Sequence, residues 1–249
     1  MLVKLPAVVA TTSLLVLVPL ALRLVLADRS RPFGRIAARA TRLWSRAVCA
    51  IIGIERDVQG APPADGGALV ASNHVSYIDI VVLGSLYPCL FVAKSEIASW
   101  PFFGAIARSS GTLFVDRDKS RDVLRAGRRI SERLASGVGL TIFPEGRAGD
   151  GAAVLRFLPS LFEPAARAGV PCWAASISYD TPGAPLPPAT TICWHDRSNF
   201  LVHFGRLLGL RRIVARVAFA PRPVSSSDRK ELAQSLWESV SESFVPIRR

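Results

Sequence analysis

The chain has 249 residues, enough to bury a sizeable core in one or two domains. Half of them are hydrophobic and the mean hydropathy is +0.32, high for a freely soluble enzyme and in keeping with a membrane-associated one. Lys and Arg number 31 against 19 Asp and Glu, a net charge of +12 that asks for an anionic partner, while Cys49, Cys89, Cys172 and Cys193 stand apart with no Cys-x-x-Cys pair, which argues against a zinc site or a disulfide framework and for reduced, buried thiols.

Residues 5–22 form an apolar run without a charge. As a helix it would extend roughly 27 Å at about 1.5 Å per residue, close to a bilayer core of about 30 Å. Arg29, Arg31, Arg35, Arg39, Arg42 and Arg46 follow, against the single acid Asp28. That excess places the segment beside the cytoplasmic leaflet and attracts it to anionic lipid. A cleaved signal peptide is the competing reading, with Lys4 as its basic start, but Arg23 interrupts the apolar run. A monotopic anchor is a third. The sequence thus divides into a membrane anchor over 1–30, a basic amphipathic helical segment over 31–60 and a main domain over 61–249.

Residues 35–54 read as the basic helix, with Trp44 suited to an interface. A Pro- and Gly-rich break over 60–67 precedes a short apolar strand over 68–72. Further buried strands are expected over 89–94, 111–117, 138–143 and 171–178, then at "TTICW" (190–194) and over 213–219. Ser120 caps a helix running to about Ala135, with Val123, Ile130 and Leu134 at helical spacing. Asp228 and Glu231 open a last helix presenting Leu232, Leu236, Val240 and Phe244 on one side. Strands alternating with helices imply an α/β domain with a mixed sheet flanked by helices.

The chain holds 3 histidines, and His74 lies between the strand at 68–72 and the following helix, with Asp79 shortly after it. Five steps of regular helix turn the chain by roughly 500°, leaving the two side chains about 140° apart. They meet only if His74 precedes the helix and Asp79 sits on its first turns. Asp79 would then hold one imidazole nitrogen and leave the other to take a proton from a hydroxyl. Ser76 is the nearest nucleophile, but no Gly-x-Ser-x-Gly elbow surrounds it, so a substrate hydroxyl is the natural proton donor. Taken alone, the spacing also describes a histidine that merely starts a helix.

Arg117, Glu145 and Gly146 end two other strands, where α/β sheets gather their ligands. A guanidinium there can fork onto phosphate oxygens, and Gly146 would let backbone N–H groups approach an anion. The bland alternatives are an ion pair of Arg117 with Asp116 or Asp118, and of Glu145 with Arg147. His195 and His203 read as structural, since "CWHD" lacks the further ligands of a metal site.

Four blocks in order resemble the glycerolipid acyltransferase family, of which 1-acylglycerol-3-phosphate acyltransferase is the familiar example. They are "NHVSYID" (73–79), "GTLFVDR" (111–117), "FPEG" (143–146) and "GVPCWAASI" (169–177), with "AKSEIASWPFFG" (93–104) between the first two. The resemblance implies a glycerol-3-phosphate acyltransferase-like fold and acyl transfer from acyl-CoA or acyl carrier protein to a lysolipid hydroxyl. No other cofactor, no metal and no nucleic acid are implied. His74 and Asp79 would be catalytic. Arg117, Glu145, Gly146 and Arg147 would bind the acceptor's head, first of all that of 1-acylglycerol 3-phosphate. The catalytic domain would sit on the cytoplasmic face of a membrane. One departure stands out: the third block usually continues Thr-Arg, and here Arg147 and Ala148 occupy those places. Either Arg147 takes over the phosphate contact or the head group differs; "GDGAAVLRFLPSLFEPA" (149–165) with "WHDRSNFLVHFGRLLGL" (194–210) resembles the lyso-ornithine lipid acyltransferase branch. A non-catalytic basic membrane-binding protein is the alternative of another class.

Overall fold

The structure, a computed structural model, describes residues 3–25, 31–63, 67–100, 103–115, 120–195 and 198–248. In chain order the elements are α1 Lys4–Val25, α2 Arg31–Ile52, β1 Ile54–Gln59, β2 Leu69–Ser72, α3 Ile78–Leu86, β3 Cys89–Lys94, α4 Phe103–Ser109, β4 Leu113–Val115 and α5 Ser120–Ala135. There follow β5 Gly139–Ile142, α6 Glu163–Ala168, β6 Cys172–Asp180, α7 Pro188–Thr191, α8 Phe200–Gly209, β7 Ile213–Phe219 and α9 Arg229–Ser243.

The strands form one sheet in the order β1-β7-β6-β2-β5-β3-β4. Five of them, from β6 to β4, run parallel to one another, while β7 lies antiparallel to β6 and carries β1 parallel to itself. The parallel strands are apolar on both faces because helices cover both. In β2, Val70 points into one core with Ile177, Val82 and Leu83. Leu69 and Ala71 point into the other, with Leu140, Ile142, Phe162 and Leu236. α3 and α8 cover the first face; α5, α6 and α9 cover the second. This mixed α/β architecture matches the sequence expectation.

Three differences have physical causes. β1 is charged and mostly exposed, IERDVQ, and it joins the sheet through its register with β7, ahead of residue 61 where the sequence reading opens the main domain. "TTICW" is no strand: Pro188 begins the short α7, and Ile192 and Cys193 then turn into the core. Residues 200–209, to which the sequence reading gave no element, form α8, started by the Asn199 side chain accepting from Leu201 N and Val202 N.

A helix does stand over residues 5–22, but among the described residues no helix is long and apolar enough to cross a membrane. The first half of α1 instead packs on the domain along one side. Its Lys4 Nζ donates to the Ile52 and Leu210 carbonyls at 2.6 and 2.7 Å, and Thr12 Oγ1 accepts from Trp44 Nε1 at 3.1 Å. Its Leu5, Val9, Leu14 and Leu17 stay exposed.

Candidate active site

β2 ends at Ser72, and the next residue fixes the direction of the loop. Asn73 Nδ2 donates to Ile177 O at 2.9 Å, and Ile177 N donates back to Asn73 Oδ1 at 2.8 Å. The side-chain amide thereby mimics one more rung of the β2–β6 ladder. His74 follows, outside any helix, and Asp79 lies on the first turn of α3. The loop-then-helix geometry that lets the two meet is present: His74 Nδ1 stands 2.7 Å from Asp79 Oδ2. The same oxygen accepts Val75 N at 2.7 Å and Ser76 N at 2.9 Å.

Asp79 is fully buried, whereas the His74 side chain is 21% exposed. A carboxylate only accepts, so Nδ1 is the donor, and in the neutral ring the lone pair belongs to Nε2. His74 lies flat on Phe143, ring centroids 4.2 Å apart, which leaves the imidazole little rotational freedom. Gly149 N donates to His74 O at 2.8 Å, and Trp194 N to Val75 O at 2.9 Å. His74 is thus held through its Nδ1, its ring face and its backbone carbonyl.

Phe143 directly follows β5, so "FPEG" reaches the site from the strand beside β2. Gly146 has φ +77°, a left-handed turn that suits glycine; it remains half-buried beside the loop. Arg147 is exposed, and Glu145 is only 7% exposed. The Glu145 carboxyl, which the sequence reading assigned to the acceptor's head, is turned inward. Burial pushes it up to about 8, against the opposing pull of the His74 and Leu155 backbone N–H groups. Its Oε2 has no hydrogen-bond partner among the described residues. Arg117 lies outside the described residues. β4, which precedes it in the chain, ends at Val115 and runs parallel to β3, so the carboxyl end of β4 falls on the same edge of the sheet as those of β2 and β5.

Two groups at the site escaped the sequence reading. Tyr179, on β6, donates from Oη to Asp79 Oδ1 at 2.6 Å. Tyr77, between His74 and Asp79, meets His203 Nδ1 at 3.0 Å and sets its ring edge against Trp194 and Phe200. His203 is therefore part of an aromatic wall beside the loop, and His195 is exposed.

An imidazole held through Nδ1 by a buried carboxylate, at the carboxyl edge of a parallel sheet, is a group that can take a proton from a hydroxyl through its other nitrogen. The chain belongs to the acyltransferase family. The family described as Acyltransferase matches residues 55–178. The chain is 38% identical over 203 residues to a lyso-ornithine lipid O-acyltransferase of Pseudomonas aeruginosa, covering 81% of this chain and 77% of that one. It is 32% identical over 213 residues to a 1-acyl-sn-glycerol-3-phosphate acyltransferase of Neisseria meningitidis serogroup B, covering 81% and 79%. The fold is similar to that of the 1-acyl-sn-glycerophosphate acyltransferase PlsC of Thermotoga maritima, with a TM-score of 0.64 at 19% identity, covering 91% of this chain and 85% of that one.

Proposed function

We propose that the protein moves a fatty acyl group from acyl-CoA or acyl carrier protein to the free hydroxyl of a lysolipid. The observation that carries this reading is the 2.7 Å contact of His74 Nδ1 with Asp79 Oδ2, which leaves Nε2 as the base. Nε2 takes the acceptor's hydroxyl proton as that oxygen attacks the thioester carbonyl. The tetrahedral adduct then expels the donor's thiolate, which takes the proton back from the imidazolium. The Asp79 carboxylate holds the ring in place and stabilises the imidazolium.

In this reading Arg117, Gly146 and Arg147 bind the acceptor's head, and Glu145, being buried, braces the His74 loop from behind. The exposed leucines of α1, with Leu43 and the exposed Arg39 and Arg46 of α2, fit attachment to an anionic membrane on its cytoplasmic face. The first acceptor is 1-acyl-sn-glycerol 3-phosphate, giving phosphatidate. A second, lyso-ornithine lipid, is favoured by Arg147 and Ala148 in place of Thr-Arg and by the 38% identity with an enzyme named for that lipid, against 32%.

The test offers the full chain, in membranes, each lysolipid with labelled acyl-CoA and labelled acyl carrier protein. Ester should form on one of them, and His74→Ala should lower the rate roughly 10²- to 10⁴-fold. No ester on any lysolipid, or an undiminished rate in the variant, overturns the proposal.

A further inference from the structure

Asp79 is unevenly served. Oδ2 accepts from three donors, His74 Nδ1, Val75 N and Ser76 N. Oδ1 accepts from one among the described residues, Tyr179 Oη at 2.6 Å. Without that hydroxyl, half of a buried, charged carboxylate would lack a partner, at a large desolvation cost. The three donors on Oδ2 fix one end of the carboxylate group, and Tyr179 fixes the other. Together they set the plane in which Oδ2 meets the imidazole.

Tyr179 is well built for this task. It is 2% exposed, on the face of β6 that also presents Ile177 and Ala175 to the core. Two residues before it, the Ile177 backbone holds Asn73. One strand therefore grips the loop at both ends, by backbone before His74 and by hydroxyl behind Asp79. Burial first, then the charge of Asp79, push the tyrosine hydroxyl well above its ordinary range, so it is a permanent donor. At 100 residues from Asp79 in the chain, it belongs to no local motif.

We propose that Tyr179 is a positioning residue for acyl transfer, acting through Asp79 on His74 without touching either substrate. This rests on the reading of His74 as the base. The alternative is that Tyr179 is only a filler of the core.

Tyr179→Phe separates the two, since it keeps the ring and removes the donor. Loss of a hydrogen bond to a buried charge should lower kcat roughly 10- to 100-fold, with KM for acceptor and donor unchanged. The downfield proton resonance of His74 Nδ1–H should shift. A variant that loses thermal stability but keeps the native kcat and the native resonance in its folded fraction would refute the proposal. Should Tyr179→Phe fold poorly, 3-fluorotyrosine at position 179 keeps the shape and makes the hydroxyl a stronger donor. It should move the resonance and kcat at unchanged stability, and an unmoved resonance refutes the proposal equally. If the wild type esterifies no lysolipid, the acyl-transfer reading fails by itself, while the resonance still reports whether Tyr179 controls the pair.

Discussion

Replacing Asp79 by Asn tests how much of the chemistry depends on a charge rather than on a shape. Three donors converge on the position of Oδ2, so the new amide must place its oxygen there; its NH2 would set donor against donor. The NH2 then faces Tyr179 Oη, which can turn to accept it. The loop keeps its geometry, and what vanishes is the negative charge. Hydrogen bonds to a charged group contribute about 1.5–3 kcal/mol and neutral ones about 0.5–1.5. The bonds from Val75 N and Ser76 N are the same before and during the reaction, so their weakening falls on stability; the bond to His74 strengthens as the imidazolium forms, so the loss of its charge assistance, about 1.5–3 kcal/mol, falls on kcat. At about 1.4 kcal/mol per factor of ten, kcat should fall roughly 10- to 10²-fold, with KM within a few-fold of native. Asp79→Ala is the poorer probe. It strands four buried donors at about 1–3 kcal/mol each, which rivals a whole domain's stability of about 5–15 kcal/mol. Initial rates over a range of both substrates, with thermal unfolding as a control, decide the matter. A natively folded Asp79→Asn enzyme with undiminished kcat would refute the assignment of Asp79 as partner of the base.

Asn73→Ala should cost about 1–3 kcal/mol for each of the two Ile177 backbone groups it leaves unpaired, read by urea unfolding, and should lower kcat in the folded fraction; native stability would show that Asn73 is no clasp. Glu145→Gln should change how stability depends on pH. The folded chain holds the Glu145 proton up to about 8, whereas an unfolded one loses it near about 4.3. Through this group wild-type stability is therefore full below the unfolded value and declines as pH rises through the folded one. Glutamine cannot ionise, so wild type should weaken relative to the variant between about pH 4 and about pH 8 and run level with it above that. Parallel stability curves would contradict the buried carboxyl.

How much of this was legible in the sequence depended on how local each signal is. The buried strands β2, β3, β5 and β6 announced themselves as apolar runs because both faces of the sheet are covered. β1 did not, since an edge strand with charged, exposed positions has no such run, and only its pairing with β7 selects it. "TTICW" misled through its β-branched residues, when the prolines before it already favoured a helix start. α8 was masked by Gly205 and Gly209, although Asn199 was a readable cap. At the site, His74 and Asp79 were legible because their pairing is local. Tyr179 was not, because nothing near it in the chain marks it. Glu145 was visible as a site residue, but only its burial shows that it faces the loop and not the solvent.

The Asn73 clasp has a consequence for how the enzyme comes to life. Its partner lies 104 residues further on, in a strand flanked on both sides by β2 and β7. Closing so long a stretch of chain is a slow step in folding. Until that step is complete the loop bearing His74 lacks its Asn73 anchor on β6, and Asp79 lacks its tyrosine partner. On refolding, activity is therefore expected to return together with the docking of β6 between β2 and β7, and no earlier.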